Sequence, residues 1–168
     1  MGRPLTLVLG GARSGKSEVA EAIVAELGAP VTYVATARRS DDDPTFAARI
    51  DAHRARRPSG WATVEVAADL AGTLRTVEGA ALVESLGTWV AGANAMAVDA
   101  GALCAALLER SGPTVVVSDE VGLGVVPSTE AGVAFRDALG AVNRAVAEVA
   151  DEVLLVIAGR VLPLEQRG

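Results

Sequence analysis

Short apolar runs alternate along this chain with longer segments of helical period. Leu5-Thr6-Leu7-Val8-Leu9, Val31–Ala35, Ala80–Glu84, Pro113–Ser118 and Glu152–Ala158 have the length and aliphatic character of strands buried on both faces. Trp61–Val66 predicts a further short strand. Arg160 to Leu164 predicts an edge strand, its edge marked by Pro163.

Helices are predicted between these runs. One starts near Lys16, with Val19, Ile23 and Leu27 at i, i+4 and i+8, and stops at Gly28 and Pro30. Asp41-Asp42-Asp43-Pro44 places acidic residues and a proline at a helix start, and that helix runs to about Arg57, before Pro58-Ser59-Gly60. Ala67 to Val77 is predicted helical, and the stretch from residue 85 to Arg110 largely so. Ser128 is placed as the N-cap of a long helix whose apolar stripe is Phe135, Leu139, Val142, Val146 and Val149. This alternation predicts a single α/β domain over residues 1–168, with a mostly parallel sheet and helices on both faces. The loops at 36–44 and 119–128 follow strand C-termini, where open sheets of this kind bind ligands.

Composition narrows the picture. The chain has 168 residues, is 51% hydrophobic and carries a net charge of −6, which argues against a broad nucleic-acid surface. Cys104, the single cysteine, lies among Ala and Leu and excludes a disulfide within the chain or a cysteine-based zinc site. No apolar run approaches the roughly 20 residues of a bilayer span. The N-terminus does not read as a signal peptide, so the cytoplasm is the expected compartment.

The basic residues carry the chemistry. Of 15 Lys and Arg residues only Lys16 is lysine, in a chain whose composition otherwise favours Arg. It closes Gly10-Gly11-Ala12-Arg13-Ser14-Gly15-Lys16-Ser17, the complete phosphate-loop pattern, between a predicted strand and a predicted helix. The glycines let successive N–H groups point at phosphate oxygens, Lys16 reaches the β- and γ-phosphates, and the Ser17 hydroxyl is placed to hold Mg²⁺. A glycine-rich turn without a ligand is the plainer alternative. Such a site needs a strand-end carboxylate near the metal, and Glu84, Asp119 and Glu120 all qualify. The alternative is that one of them caps a turn.

The only histidine, His53, lies among Arg49, Arg54, Arg56 and Arg57. On a helix Phe46, Ile50, His53 and Arg57 share one stripe. Neighbouring cations disfavour protonation, keep the imidazole nucleophilic and can neutralise an arriving phosphate. That suits a covalent phospho- or nucleotidyl-histidine. A histidine bonded to a backbone carbonyl, a solvated Arg face and a phosphate clamp remain open beside it.

Larger segments carry a resemblance. Beyond the loop they are Tyr33-Val34-Ala35-Thr36-Ala37; Arg49-Ile50-x-x-His53-Arg54-x-x-Arg57-Pro58-x-x-Trp61-x-Thr63-x-Glu65; Leu82-Val83-Glu84-Ser85-Leu86; Glu120-Val121-Gly122-x-Gly124-Val125-Val126-Pro127; and Phe135-Arg136-Asp137-x-x-Gly140-x-x-Asn143. In these the chain resembles the bifunctional adenosylcobinamide kinase/adenosylcobinamide-phosphate guanylyltransferases of cobalamin biosynthesis. The resemblance implies a P-loop fold, commonly trimeric, and two reactions. A γ-phosphate from ATP or GTP passes to adenosylcobinamide. GMP from GTP then passes through a guanylyl-histidine to adenosylcobinamide phosphate. It places His53 at the guanylylated position and Gly10 to Ser17 at the triphosphate. Thr36, Ala37, Arg38, Arg54, Ala55, Arg56, Arg57, Glu65 and Glu84 take the other GTP contacts. Asp119 stands where some relatives have a neutral residue.

Two other readings stand beside this one. One is a single-function P-loop kinase for another small metabolite, with the Arg-rich helix clamping substrate. The other is a nucleotide-binding regulatory module, against which Lys16, Ser17 and the strand-end carboxylates argue. Trp89, Leu123 and Val125 are left open between core and substrate contact.

Overall fold

The computed structural model describes residues 4–28, 30–37, 44–66 and 68–166. The acidic helix start at Asp41 to Asp43 and the candidate contact Arg38 lie outside the described residues, as do the side chains of Phe46 and Arg49.

Seven strands form one sheet: β1 (Leu5–Gly10), β2 (Val31–Ala35), β3 (Ala62–Glu65), β4 (Ala80–Glu84), β5 (Thr114–Asp119), β6 (Glu152–Ile157) and β7 (Arg160–Pro163). Their order is β3-β2-β4-β5-β1-β6-β7, and every pairing is parallel except that of β6 with β7. β7 lies at the edge of the sheet, as its Pro163 requires, and pairs that residue with Leu154.

Among the described residues six α-helices connect or flank the strands: α1 (Lys16–Glu26), α2 (Pro44–Arg56), α3 (Leu70–Thr76), α4 (Leu86–Gly92), α5 (Ala100–Glu109) and α6 (Glu130–Val149). A 3₁₀ turn at Asn94–Met96 divides α4 from α5. Strand residues alternate between two apolar layers. Leu5, Leu7, Val83 and Val116 pack with Leu70, Leu86, Leu103, Leu139 and Val146 of α3 to α6. Val8, Tyr33, Leu82 and Val117 pack with Ala20 and Val24 of α1. Both faces of the central strands β1, β4 and β5 are therefore covered, which is why these read as unbroken apolar runs, whereas the edge strands β3 and β7 are exposed.

One helix detail extends the sequence expectation and one corrects it. The buried line on α1 is Ser17, Ala20 and Val24, with Val19, Ile23 and Leu27 only half-buried beside it. Ser17 must turn toward the sheet, and that sets the rotation of the helix. The cap of α6 is Thr129, whose hydroxyl accepts the Gly132 N–H at 3.1 Å, rather than Ser128. The predicted stripe on α6 holds: Leu139, Val142 and Val146 are buried, with Phe135 packed alongside.

Arg110 is buried at the opposite end of the sheet from the loop that follows β1. Its guanidinium donates to the carbonyls of Leu74 (2.9 Å), Val77 (2.6 Å) and Gly79 (2.7 Å) and to the Thr114 hydroxyl (2.8 Å). Gly79 has φ +67, and a Cβ on Gly112 would strike its carbonyl, so these turns admit nothing bulkier.

Candidate active site

The central strands β2, β4, β5 and β1 end together, and the residues just past their C-termini make one cleft. It is about 260 Å³ in volume. Lys16, Ser17, Ala37, His53, Glu84 and Asp119 contribute to its lining.

The phosphate loop forms for local reasons. A Cβ on Gly10 would collide with the Ser14 hydroxyl and the Val156 carbonyl, and Gly15 has φ +90. The turn between β6 and β7 pins the loop from outside, the Gly159 N–H donating to Ser14 O at 2.7 Å. Side-chain caps serve the first turns of α3, α4, α5 and α6, from Asp69, Ser85, Asp99 and Thr129. The start of α1 has none. Its N–H groups and the positive end of its dipole are thus directed at an anion. The Ser14 hydroxyl is buried without a partner, a further donor awaiting one.

Lys16 donates to Gly11 O at 3.2 Å and pairs with Asp119 Oδ1 at 2.8 Å. Ser17 donates to Glu84 Oε1 at 2.9 Å. Burial pushes the Glu84 carboxyl up to about 7, against the opposing pull of the Ser17 bond and the Lys16 charge. Its other oxygen, Oε2, is buried and unpartnered. A hydroxyl, a carboxylate with an unused oxygen and Asp119 beside the loop fit a magnesium ion that arrives with nucleotide and keeps most of its waters. No closed cluster of three metal-ligating side chains exists among the described residues.

The structure separates the paired acidic candidates. Asp119 ends β5 level with Gly10 of β1 and faces Lys16. Glu120 is the correction: its two carboxylate oxygens accept the N–H groups of Gly122 (2.9 Å) and Leu123 (3.0 Å), so it caps its own loop. Thr36 is also turned from the cleft. Its buried hydroxyl accepts the Ser85 N–H at 2.8 Å and donates to Ser85 O at 2.6 Å, tying β2 to the cis Glu84–Ser85 peptide. Ala55 is exposed on α2 and does not line the cleft.

Helix α2 brings Ile50, His53 and Arg54 to the cleft, with Arg57 just past its end, so the described part of the predicted stripe faces ligand space. The Arg57 guanidinium lies 3.3 Å from the centre of the Tyr33 ring, a cation–π contact, and donates to Thr63 Oγ1 at 3.2 Å. Burial raises the Tyr33 phenol and keeps it neutral. Arg54 pairs with Glu65, and both line a neighbouring groove with Trp61. Arg56 donates to Glu18 Oε1 at 2.7 Å and stands 3.3 Å from His53 Nδ1. A hydrogen bond from its own backbone N–H, then Arg56 and His53, hold the Glu18 carboxyl below its ordinary range against the cost of burial.

Sequence reasoning gave no role to Asn143. On α6 its amide donates to Asp119 O at 3.0 Å and its Oδ1 accepts the Ser118 hydroxyl at 2.5 Å, which braces the end of β5. Its place in a resembling segment was the only signal. Trp89 is resolved as core, its indole N–H donating to Ala68 O at 3.1 Å, whereas Leu123 and Val125 are exposed.

The family described as cobinamide kinase / cobinamide phosphate guanyltransferase matches residues 6–164. The chain belongs to this family. Within it, the bifunctional adenosylcobalamin biosynthesis protein CobP of Pseudomonas aeruginosa is 41% identical over 95% of this chain and 96% of its own length. The bifunctional adenosylcobalamin biosynthesis proteins CobU of Salmonella typhimurium and Escherichia coli are each 37% identical, over 92% of this chain and 96% of theirs. Among solved structures, the P4 protein from bacteriophage phi6 in complex with ADP aligns with a TM-score of 0.43 and 14% identity, over 94% of this chain and 52% of that one. No helix among the described residues is long and apolar enough to cross a membrane.

Proposed function

We propose that this cobinamide kinase / guanyltransferase family member catalyses both reactions in the one cleft. The γ-phosphate of ATP or GTP passes to the hydroxyl of adenosylcobinamide. GMP from GTP then passes through His53 to adenosylcobinamide phosphate, giving adenosylcobinamide-GDP. The observation that carries this reading is that His53 lines the same cleft as Lys16 and Ser17.

In this reading Gly10 to Ser17 cradle the triphosphate, and Lys16 exchanges Asp119 for phosphate oxygens. Ser17, Glu84 and Asp119 would hold Mg²⁺, which would neutralise charge on the triphosphate. Ala37, Arg54, Arg57 and Glu65 contact the nucleotide. The imidazole of His53 forms a P–N bond to the α-phosphorus as pyrophosphate leaves, keeping GMP activated until the corrinoid phosphate attacks.

Family likeness supports a cytoplasmic homotrimer, and the exposed Val125, Val126 and Leu162 supply apolar surface for assembly. Sedimentation of the purified protein tests that assembly.

The catalytic reading is tested by incubation with α-³²P-GTP. Label should remain on denatured protein in alkali, leave in acid and be absent from His53→Ala. Wild-type protein that never retains label would sink the guanylyl-histidine. Phosphoryl transfer alone, unaffected by His53→Ala, would indicate a single-function kinase.

A further inference from the structure

Glu18, Arg56 and His53 form a chain of contacts between α1 and α2. The Arg56 Nη1 donates to Glu18 Oε1 at 2.7 Å, and Nη2 stands 3.3 Å from His53 Nδ1. Glu21 of α1 lies 3.7 Å from the same guanidinium. An arginine has five donors and no acceptor, so in this contact Nδ1 must accept. A neutral imidazole accepting at Nδ1 carries its proton on Nε2.

We propose that Arg56, braced by Glu18, covers the Nδ1 lone pair of His53 in the nucleotide-free enzyme, and that Nδ1, uncovered when a triphosphate draws Arg56 away, is the atom that attacks. Glu18 is a positioning residue here, acting through Arg56. The brace is releasable, because the two side chains are 58% and 42% exposed and such pairs are weakly held in water. A bound triphosphate offers the same guanidinium several anionic oxygens at once. In the step itself the Nδ1 lone pair forms the bond to the α-phosphorus. The bond from that phosphorus to the bridging oxygen breaks, and its electron pair leaves with pyrophosphate. The Nε2 proton is then lost to water, leaving a phosphoramidate whose ring is neutral and whose phosphoryl oxygens carry one negative charge. The arrangement keeps the nucleophile idle until the charge of its substrate is in the cleft.

This inference rests on the guanylyl-histidine reading, and one experiment separates the two. The chain has one histidine, so protein grown on ring-¹⁵N-histidine gives a spectrum of a single imidazole. It is recorded without nucleotide, at a pH well above the ordinary imidazole value of about 6.5. The Nδ1 resonance should show an accepted hydrogen bond in wild type. That signature should be lost in Arg56→Met and weakened in Glu18→Gln. After reaction with GTP, the ³¹P of the adduct should couple through one bond to Nδ1. Coupling to Nε2, or an Nδ1 resonance identical in wild type and Arg56→Met, overturns the inference and leaves the guanylyl-histidine standing. Absence of any adduct in wild type removes both.

Discussion

Ser17 and Glu84 stand 67 residues apart in sequence, yet the serine hydroxyl donates to the carboxylate at 2.9 Å in the floor of the cleft. Glu84 is raised from an ordinary value of 4.5 to about 7, chiefly by burial. A raised carboxyl favours the folded state while protonated, and that contribution is lost as pH climbs from the ordinary value through the folded one. Nucleotide-free, metal-free protein should therefore lose on the order of a few kcal/mol between about pH 4.5 and pH 7 on this account. Glu84→Gln keeps an acceptor for Ser17 and removes the titration. Its melting temperature should overtake that of wild type as pH rises, and parallel curves would refute the assignment.

Gly87 in α4 faces Asp119, and a Cβ there would collide with Asp119 Oδ2. Alanine suits a helix better than glycine, by about 1 kcal/mol. The expected damage from Gly87→Ala is therefore local: the carboxylate shifts from Lys16, and kcat for phosphoryl transfer falls by about 10²-fold. Circular dichroism should stay native. An unchanged kcat would mean that the position of Asp119 is not critical.

Asn143→Leu removes the donor to Asp119 O and the acceptor of the Ser118 hydroxyl. Leaving buried polar groups unmatched costs about 1–3 kcal/mol each. The urea midpoint should drop accordingly and kcat should fall with it. A variant as stable and active as wild type would show that β5 holds its end unaided.

Helix α2 is joined to α1 by the Arg56 contacts with Glu18 and Glu21. Nucleotide that recruits Arg56 should reposition the helix. Hydrogen exchange over residues 44–56 should change on adding GTP, and identical protection with and without it would count against the movement.

Much of the frame was legible because both layers of core demand aliphatic strands. β2 and β4 begin and end where their apolar runs do. The phosphate loop was legible because its geometry depends on local glycines. Which carboxylate faces the loop was not. Asp119 is still in the ladder beside Gly10, whereas Glu120 is past it and folded onto its own N–H groups, a difference of one residue that no pattern records. Thr36 illustrates the same limit: it adjoins the cleft, but its hydroxyl is spent on the Ser85 backbone. Thr129 displaced Ser128 because both are good caps and only the Gly132 N–H decides between them.

Of the carbonyls gathered by Arg110, those of Val77 and Gly79 belong to the turn before β4 and that of Leu74 to α3, while Thr114 begins β5. These are the very strands whose far ends carry Glu84 and Asp119. One cation thus clamps the two strands at their roots, away from solvent and from any substrate. The loops at the other end are left free to be rewritten for a different acceptor without loosening the frame that aims them.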